Sequence, residues 1–439
     1  MRSPENKKAK RLIFFMVLSL IVITGVRNSL GQIPTAKSQI VRITHSKDAV
    51  VKYPSISNNG QKFLYQSESR DLVNPDKILK SIKIINVNGT EEKVLFTDKV
   101  KKAPPPYPES YLVCGTRPPL LSGDGSKAFF ALSIEEPLQL NDHYLGVINT
   151  DGTGFKVFAL RNRALASLDW QKKGFKDDTW NRISNYAVSN DGKKLVLIVK
   201  GHHGPRKFGF PSGILVMGSD GRDQRALLSP AFEEEGWVWP SYPRKPYTEG
   251  GWAFAFSGNG EKILFGAQSS ADKDDYDLYL VNWNGSKLRK ITDFKDRFFT
   301  IADISDDGKR IVFFYGGKKR QGIGTYSIYA DGTGLKYLRS KVADRVDFED
   351  MDSKGKRILY RYKYFGILMD LYTQKEVVIL HPEMMGYAGS NGTFMDFPYF
   401  LSFWNPRFMA EDKVIITGTP KGRIWREFYL LDFTLSDIK

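Results

Sequence analysis

Residues 304–314 read Ile304-Ser-Asp-Asp-Gly-Lys-Arg-Ile-Val-Phe-Phe314, a short apolar strand that enters a tight polar turn and returns as a second apolar strand. Asp-Gly and Asn-Gly supply the positive φ that a tight turn between antiparallel strands requires. Copies of this hairpin occur six more times, at 188–198, 256–265, Ser57-Asn-Asn-Gly60, Ser122-Gly-Asp-Gly125, Asp352-Ser-Lys-Gly355 and the degenerate Ala410-Glu-Asp-Lys413. The chain therefore repeats one hairpin seven times.

A second hairpin follows the first in five of these repeats, as in Val147-Ile-Asn-Thr-Asp-Gly-Thr-Gly154 and Ser327-Ile-Tyr-Ala-Asp-Gly-Thr-Gly334. Two hairpins make four strands, which is one blade of a β-propeller. The first turns recur after 65, 67, 68, 48, 47 and 57 residues, whereas a minimal blade takes roughly 40–50. We predict an all-β, seven-bladed propeller of four-stranded antiparallel blades with insertions in the longer ones; six or eight blades are the alternatives.

The two ends of the chain predict how the ring closes. Residues 427–434 match residues 277–284 position by position, and the last repeat then ends before a fourth strand can form. Residues 38–44, Ser-Gln-Ile-Val-Arg-Ile-Thr, line up with the corresponding fourth strand at 286–292. We expect this N-terminal strand to complete the last blade, because closure removes an unpaired sheet edge.

These turns resemble those of the TolB-like family, whose blades carry Ser-x-Asp-Gly-Lys followed by Asp-Gly-Thr. The resemblance covers residues 38–439, and Ser189-Asn-Asp-Gly-Lys193 shows the first motif in full. It implies a propeller and leaves the function open, because one propeller plan hosts binding proteins, scaffolds and lyases. Only residues 32–37 separate the expected signal peptide from the first strand, so the family's separate N-terminal α/β domain has no counterpart here.

The N-terminus predicts export. Basic residues between Lys7 and Arg11 precede the apolar run Leu12–Val26, and Ser29-Leu-Gly31 offers small residues at the positions that signal peptidase reads. The run is shorter than the roughly 20 residues of a membrane-spanning helix. We expect residues 1–31 to be a signal peptide cleaved near Gly31, with an uncleaved anchor as the alternative. Residues 32–439 would then form a single propeller domain outside the cytoplasm, periplasmic or secreted.

Charge and cysteine content limit the partners. The net charge of +16 falls to about +11 without residues 1–31, which hold six basic residues and one acidic residue. A basic exported protein can bind an anionic polysaccharide, although the charge can equally serve solubility. Without a nucleic-acid motif, nucleic acid is not expected, and a membrane is expected only through an uncleaved anchor. Cys114 is the single cysteine, which excludes an intrachain disulfide and predicts a buried small residue. We expect a monomer without a cofactor.

The spacing of the turns predicts which end of the propeller carries function. From the second turn of one blade to the first turn of the next, two junctions take 23 residues and the other four take 36 to 40. In a four-stranded meander these junctions and the loops between the second and third strands lie at one end, and the tight turns lie at the other. Loops on a rigid scaffold are where binding and catalytic groups concentrate. We therefore expect the site at the long-loop end.

Candidate ligand-binding residues at that end are aromatic, basic or histidine side chains in the long connections or at the starts of the inner strands: Arg117, His143, Trp237, Trp239, Trp252 and Trp404. The tryptophans can instead pack beneath a loop. His202 and His203 are adjacent, so an extended backbone would point them to opposite sides. No metal site is expected.

Two functions are consistent with this sequence. The first is a binding protein that holds a protein or an anionic glycan at the long-loop end. The second is a polysaccharide lyase that acts by β-elimination on a uronic-acid-containing glycan. It would use His202 or His203 as the base, Tyr242 or Tyr247 as the acid, and Arg206 or Arg244 to neutralise the carboxylate. Catalysis is uncertain, and we place the binding protein first. The sequence lacks the Gly-x-Ser-x-Gly, Walker, His-Glu-x-x-His and Cys-x-x-Cys motifs.

Overall fold

Seven antiparallel sheets make up the part of the chain that the computed structural model describes. The described residues are 33–34, 36, 38–45, 49–70, 78–98, 101, 111–115, 117–134, 144–159, 182–200, 212–228, 254–268, 276–294, 297–317, 323–340, 346–362, 365–380, 399–410, 412–420 and 427–433. Each sheet is one blade, so the predicted seven-bladed all-β propeller is confirmed. Blade 2 departs slightly, because its inner strand is broken into two short pieces.

The strands follow one another along the chain from the inner to the outer edge of each blade, except in blade 7. Blade 1 is β2 (Ala49–Ile56), β3 (Lys62–Arg70), β4 (Ile78–Asn86) and β5 (Lys93–Thr97). Blade 2 is β6 (Leu112–Cys114), β7 (Leu120–Leu121), β8 (Lys127–Ile134), β9 (Tyr144–Asn149) and β10 (Lys156–Ala159). Blade 3 is β11 (Arg182–Val188), β12 (Lys194–Lys200), β13 (Ser212–Gly218) and β14 (Arg225–Leu228).

The remaining blades follow the same plan. Blade 4 is β15 (Phe254–Phe256), β16 (Lys262–Gln268), β17 (Tyr276–Asn282) and β18 (Arg289–Lys290). Blade 5 is β19 (Arg297–Ile304), β20 (Arg310–Gly317), β21 (Gly324–Tyr329) and β22 (Lys336–Tyr337). Blade 6 is β23 (Asp347–Met351), β24 (Arg357–Tyr362), β25 (Phe365–Asp370) and β26 (Glu376–Leu380). Blade 7 is β27 (Tyr399–Ala410), β28 (Lys413–Pro420), β29 (Glu427–Phe433) and the N-terminal β1 (Ser38–Arg42).

The first turn of each of blades 1 to 5 is held by its serine. In blade 5, the Ser305 hydroxyl donates to Asp307 Oδ1 at 2.7 Å and accepts the Arg310 N–H at 2.9 Å. Gly308 sits at φ 69° and returns its N–H to the Ser305 carbonyl at 2.8 Å. The serine hydroxyl accepts the equivalent N–H in blades 1 to 4, from Lys62, Lys127, Lys194 and Lys262. The motif therefore fixes the hairpin through local hydrogen bonds.

The same motif joins blades 1 to 5 in sequence. Lys194 Nζ donates to the Gly260 carbonyl of blade 4 at 3.0 Å, and Lys262 Nζ donates to the Gly308 carbonyl of blade 5 at 2.8 Å. A Cβ on Gly260 would lie 2.9 Å from the Cβ of Ser189 in blade 3. Glycine is thus required there both for the positive φ of 68° and for close approach between blades.

Main-chain hydrogen bonds connect the turns of neighbouring blades around the axis. The Asn58 N–H donates to the Gly123 carbonyl at 2.7 Å, and the Asn190 N–H donates to the Gly258 carbonyl at 2.7 Å. Equivalent bonds of 2.7–2.8 Å run from Asp124 to Asn190, from Asn259 to Asp306 and from Asp306 to Ser353. Blades 1 to 6 are therefore bonded in sequence at their turn ends.

The apolar core lies between the blades. One buried cluster combines Leu264 and Leu280 of blade 4 with Ile311 and Phe313 of blade 5, and each of the other blade junctions has a similar cluster. Burying one such side chain contributes roughly 1.5–3 kcal/mol. Cys114 is a member of the cluster between blades 1 and 2 and is 4% exposed, which confirms the prediction that it is buried.

Closure by the N-terminal strand is also confirmed. β1 pairs antiparallel with β29 in a register that runs from Ser38 opposite Phe433 to Arg42 opposite Tyr429. The first strand of the chain is therefore the outer strand of the last blade.

A buried carboxylate holds this strand in place. Glu427 is fully buried; its carboxylate accepts the Thr44 hydroxyl and pairs with Arg42 Nη2 at 2.9 Å. The Thr44 oxygen in turn accepts the Phe428 N–H at 2.9 Å. Both carboxylate oxygens therefore have a partner, as a buried charge requires.

Blade 4 contains the same arrangement within one continuous stretch of chain. Asp277 Oδ1 accepts the Thr292 hydroxyl at 2.8 Å, Asp277 Oδ2 pairs with Lys290 Nζ at 3.0 Å, and Thr292 Oγ1 accepts the Leu278 N–H at 2.9 Å. The sequence match between 38–44 and 286–292 thus reflects an equivalent hydrogen-bond network.

The chain before β1 lies against blade 6. The Pro34 carbonyl accepts the Val378 N–H, and the Ala36 N–H donates to the Val378 carbonyl, both at 2.9 Å. Ile33 is 5% exposed and packs with Leu371 and Val378. The N-terminal arm therefore covers the outer edge of β26 before it enters blade 7.

We predict that Thr44→Val lowers the free energy of unfolding by about 1–3 kcal/mol, because Glu427 loses a hydrogen-bond donor in a buried site. Thr292→Val is the matched control in blade 4 and should cost a similar amount. Only Thr44→Val should raise amide exchange across β1 and β29, since no turn connects those two strands. Chemical unfolding and hydrogen exchange measure both effects; equal protection of residues 427–433 in the two variants would contradict the closing role.

Candidate site at the long-loop end of the propeller

The two ends of the propeller differ as the sequence predicts. At the turn end, no connection between strands of a blade exceeds six residues. At the long-loop end, connections span residues 98–111, 160–181, 229–253 and 381–398. The insertions therefore all lie at one end, although most of their residues fall outside the described ranges.

The turn end is closed at the axis by polar side chains. Asp306 Oδ2 accepts the Asn58 side-chain amide at 2.9 Å and the Asn190 side-chain amide at 2.7 Å. These residues belong to blades 5, 1 and 3, which are not neighbours, so their side chains can meet only by crossing the axis. The three residues, called the axial cluster below, therefore block the turn end of the channel.

Glycines in the alternate blades make room for the axial cluster. A Cβ on Gly123 would lie 2.7 Å from Asn190 Oδ1, and a Cβ on Gly258 would overlap Asp306 Oδ1 and Asn190 Nδ2. The position after the turn serine thus reads Asn, Gly, Asn, Gly, Asp through blades 1 to 5. Sequence reasoning missed this cluster, and that large-small alternation is the signal that could have found it.

The neighbouring carboxyls Asp306 and Asp307 have opposite pKa shifts. Burial raises the pKa of Asp306, Asp307 adds repulsion, and the two asparagine amides only partly offset these effects. Burial would also raise the pKa of Asp307, but hydrogen bonds from the Ser305 hydroxyl and the Lys309 N–H outweigh it, so that pKa is lowered. The fold therefore disfavours the ionised form of Asp306 and favours the ionised form of Asp307.

Several inner strands are irregular within their length. Register shifts interrupt β2, β11, β19 and β23, and bulges of this kind are frequent beside active sites. Tyr53, in the β2 irregularity, has φ 57° and precedes Pro54. A bulky residue at positive φ is strained, and such strain clusters at functional sites. This makes the inner strand of blade 1 part of the candidate site.

Charged side chains of both signs lie on these inner strands and their partners. Lys52 on β2 pairs with Glu68 at 2.7 Å, and Glu349 on β23 lies 3.9 Å from Arg361. The Lys52 and Arg361 side chains are 39% and 38% exposed. Partly exposed pairs of this kind add little stability, so they can exchange partners with a charged ligand at modest cost.

The structure locates two of the predicted ligand-binding positions. Arg117 is half-buried just before β7 in blade 2, and Trp404 lies on β27, the inner strand of blade 7, with its side chain outside the described residues. The other predicted residues lie outside the described ranges: His143, His202, His203, Arg206, Trp237, Trp239, Tyr242, Arg244 and Trp252.

The flanking strands nevertheless show that two of the long connections start and finish at the same end of the propeller. The connection with His202, His203 and Arg206 joins β12 to β13, and the one with Tyr242 and Arg244 joins β14 of blade 3 to β15 of blade 4. Among the described residues, no three His, Cys, Asp or Glu side chains are placed to share a metal ion. The same residues include no helix long and apolar enough to cross a bilayer.

Solved structures similar to this chain are β-propellers. An oligogalacturonate lyase from Vibrio parahaemolyticus aligns over 91% of this chain and 97% of its own, with a TM-score of 0.56 and 13% identity. The propeller domain of the Trilobed protease from Pyrococcus furiosus aligns over 88% of this chain and 95% of its own, with a TM-score of 0.50 and 13% identity. A puromycin hydrolase aligns over 87% of this chain and 52% of its own, with a TM-score of 0.52 and 11% identity. This likeness shows the fold alone.

No family model and no curated protein matches the sequence. The TolB-like resemblance therefore remains a prediction, and the propeller fold is what the solved structures support. The Trilobed protease propeller is described as having an open velcro topology, whereas β1 seals the last blade of this chain.

We predict that Asp306→Asn stabilises the protein at neutral pH, on the order of 0.5 kcal/mol for this half-buried group. The pKa of Asp306 is higher in the folded state than in the unfolded chain. The contribution of this carboxyl to the free energy of unfolding is therefore fully present below its ordinary pKa and is lost as pH rises through the raised value. The advantage of the variant should therefore vanish in acid.

Asp307→Asn is the matched control with the opposite sign. Its lowered pKa gives stability that is present at neutral pH and lost as pH falls, so this variant should be less stable than the parent at pH 7. Urea unfolding between pH 3 and 8 tests both. A stabilised Asp307→Asn or a destabilised Asp306→Asn at neutral pH would contradict the assignment.

Proposed function

We propose that this chain is an exported propeller that binds a macromolecular partner at its long-loop end and performs no chemistry of its own. The supporting observation is that the axial cluster of Asn58, Asn190 and Asp306 blocks the turn end. The interblade hydrogen bonds occupy the turns around it. Among the strands that the structure describes, long connections occur only at the opposite end, and binding sites concentrate where loops are mounted on a rigid scaffold.

An anionic glycan is the partner class that the charges favour. Without residues 1–31 the chain carries about +11; Lys52 and Arg117 lie in the inner strand regions of blades 1 and 2, and Arg361 lies on the second strand of blade 6. A basic surface attracts a polyanion over a distance of about 10 Å at moderate ionic strength. A protein partner is the second outcome that the experiment below can reveal.

A polysaccharide lyase is the second candidate, favoured by the likeness to an oligogalacturonate lyase over nearly the whole of both chains. In β-elimination, a base removes the C5 proton, the C4–O bond breaks, a C4–C5 double bond forms, and an acid protonates the departing oxygen. His202 or His203, Tyr242 and Arg206 or Arg244 would supply the base, the acid and the cation. Binding needs only a suitable surface, so it stands first.

The experiment shortens the long-loop end and leaves the turn end unchanged. In one variant, residues 229–253 are replaced by the six residues 291–296 that join β18 to β19. In the control, the turn 219–224 of blade 3 is replaced by the equally long turn 330–335 of blade 5. Both variants and the parent are titrated with polygalacturonate, alginate and uncharged dextran, and cooperative thermal unfolding verifies the fold.

We expect the parent and the control to bind the two polyuronates in preference to dextran, and the shortened variant to lose that binding. Undiminished binding by a folded shortened variant would contradict the assignment of the site. Absence of binding to every glycan would point to a protein partner instead. Unsaturated product in the same incubations, detected by its ultraviolet absorbance, would replace the binding function with the lyase function.

A further inference from the structure

Exposed apolar side chains concentrate at the turn ends of blades 5 and 6. Tyr329 is 38% exposed, Leu335 49% and Tyr372 56%. The other large apolar residues exposed in the described part of the chain are spread out: Val41 and Val94 on outer strands, and Ile78 and Tyr111 at the long-loop end. The three clustered residues are called the aromatic patch below. A contiguous exposed apolar patch commonly marks a contact surface.

The aromatic patch is held in place by cations. The Arg310 guanidinium lies 3.9 Å from the ring centre of Tyr329 and 4.8 Å from that of Tyr372. Lys336, next to Leu335, donates from Nζ to the Leu371 and Tyr372 carbonyls at 3.3 and 3.2 Å. Blades 5 and 6 therefore present these side chains together on a fixed surface.

The N-terminal arm reaches the propeller beside the aromatic patch. Val378 bonds the Pro34 carbonyl and the Ala36 N–H, which is the pattern of two parallel strands. β26 runs from the turn end at Glu376 towards the long-loop end at Leu380. Ile33 therefore lies nearer the turn end than Ala36, and it packs with Leu371, the neighbour of Tyr372.

Only a short tether separates this point from the apolar run at residues 12–26. Residues 27–32 lie between Val26 and Ile33, and an extended chain spans at most about 3.3–3.6 Å per residue. Ile33, beside blade 6, therefore lies within about 25 Å of the end of the run. If the run is inserted in a bilayer, that part of the propeller is held at the lipid surface.

We infer that, with residues 12–26 in a bilayer, the propeller rests on the lipid through the aromatic patch and presents its long-loop end away from the membrane. Tyrosine and leucine side chains partition well at the membrane interface. Charges around the patch leave a positive excess, with Lys309, Lys336, Lys354, Lys356, Lys375, Arg289 and Arg310 against Asp307, Asp331, Asp352 and Asp370. The partner is therefore a phospholipid surface that carries anionic lipid.

The test uses the full chain in phosphatidylcholine vesicles with and without phosphatidylglycerol, with an environment-sensitive fluorophore on an introduced cysteine. Leu335→Cys and Tyr372→Cys place the label in the aromatic patch. Ile78→Cys is the matched control, because Ile78 is 60% exposed at the opposite end. Cys114 is 4% exposed, and labelling of the parent chain measures its background. Nitroxide-bearing lipids then quench labels that touch the bilayer, and flotation verifies that the chain is bound.

We expect the labels at 335 and 372 to be quenched several-fold more strongly than the label at 78, with a larger contrast after phosphatidylglycerol is added. Equal quenching at the two ends, or no quenching at 335 and 372 in vesicle-bound protein, would overturn the inference. Quenching that does not increase with phosphatidylglycerol would overturn the choice of an anionic surface. The readout involves no glycan, so it is independent of the proposed binding function.

Discussion

The overlap between adjacent turns is the interaction on which the propeller depends. A lysine from one blade donates to the turn glycine of the next, and that glycine lies against the serine of the blade before it. The serine in turn orders the hairpin that positions the lysine. One short motif therefore fixes both the fold of a blade and its docking to a neighbour. This explains why the blades remain regular while their other connections vary in length.

Features encoded within a single blade were predictable from the sequence. Ser189 and Gly192 identify a hairpin because turn chemistry is local. The match of Thr44 with Thr292 predicted the closing strand, since each binds a carboxylate on the adjacent strand. The axial cluster was not predicted, because Asn58, Asn190 and Asp306 come from separate blades and are far apart in sequence.

The N-terminal arm was missed for a different reason. Pro34 lacks an N–H and the segment has no alternating pattern, so nothing in it predicts a strand, yet the Pro34 carbonyl accepts a bond from Val378. The long connections carry neither turn motifs nor periodicity. Sequence reasoning could therefore place them at one end of the ring without arranging their side chains. The candidate site is accordingly better defined by strand ends and bulges than by individual loop residues.

The closing strand imposes an order on assembly. β1 is made first and its partner β29 last, with Arg42 and Glu427 separated by 385 positions. The entropy of closing so long a loop must be met before the contact forms. During synthesis, blades 1 to 6 can therefore form in turn, while the first strand waits for the C-terminal strand to be made. Completion of the ring then reports that the whole chain has been synthesised.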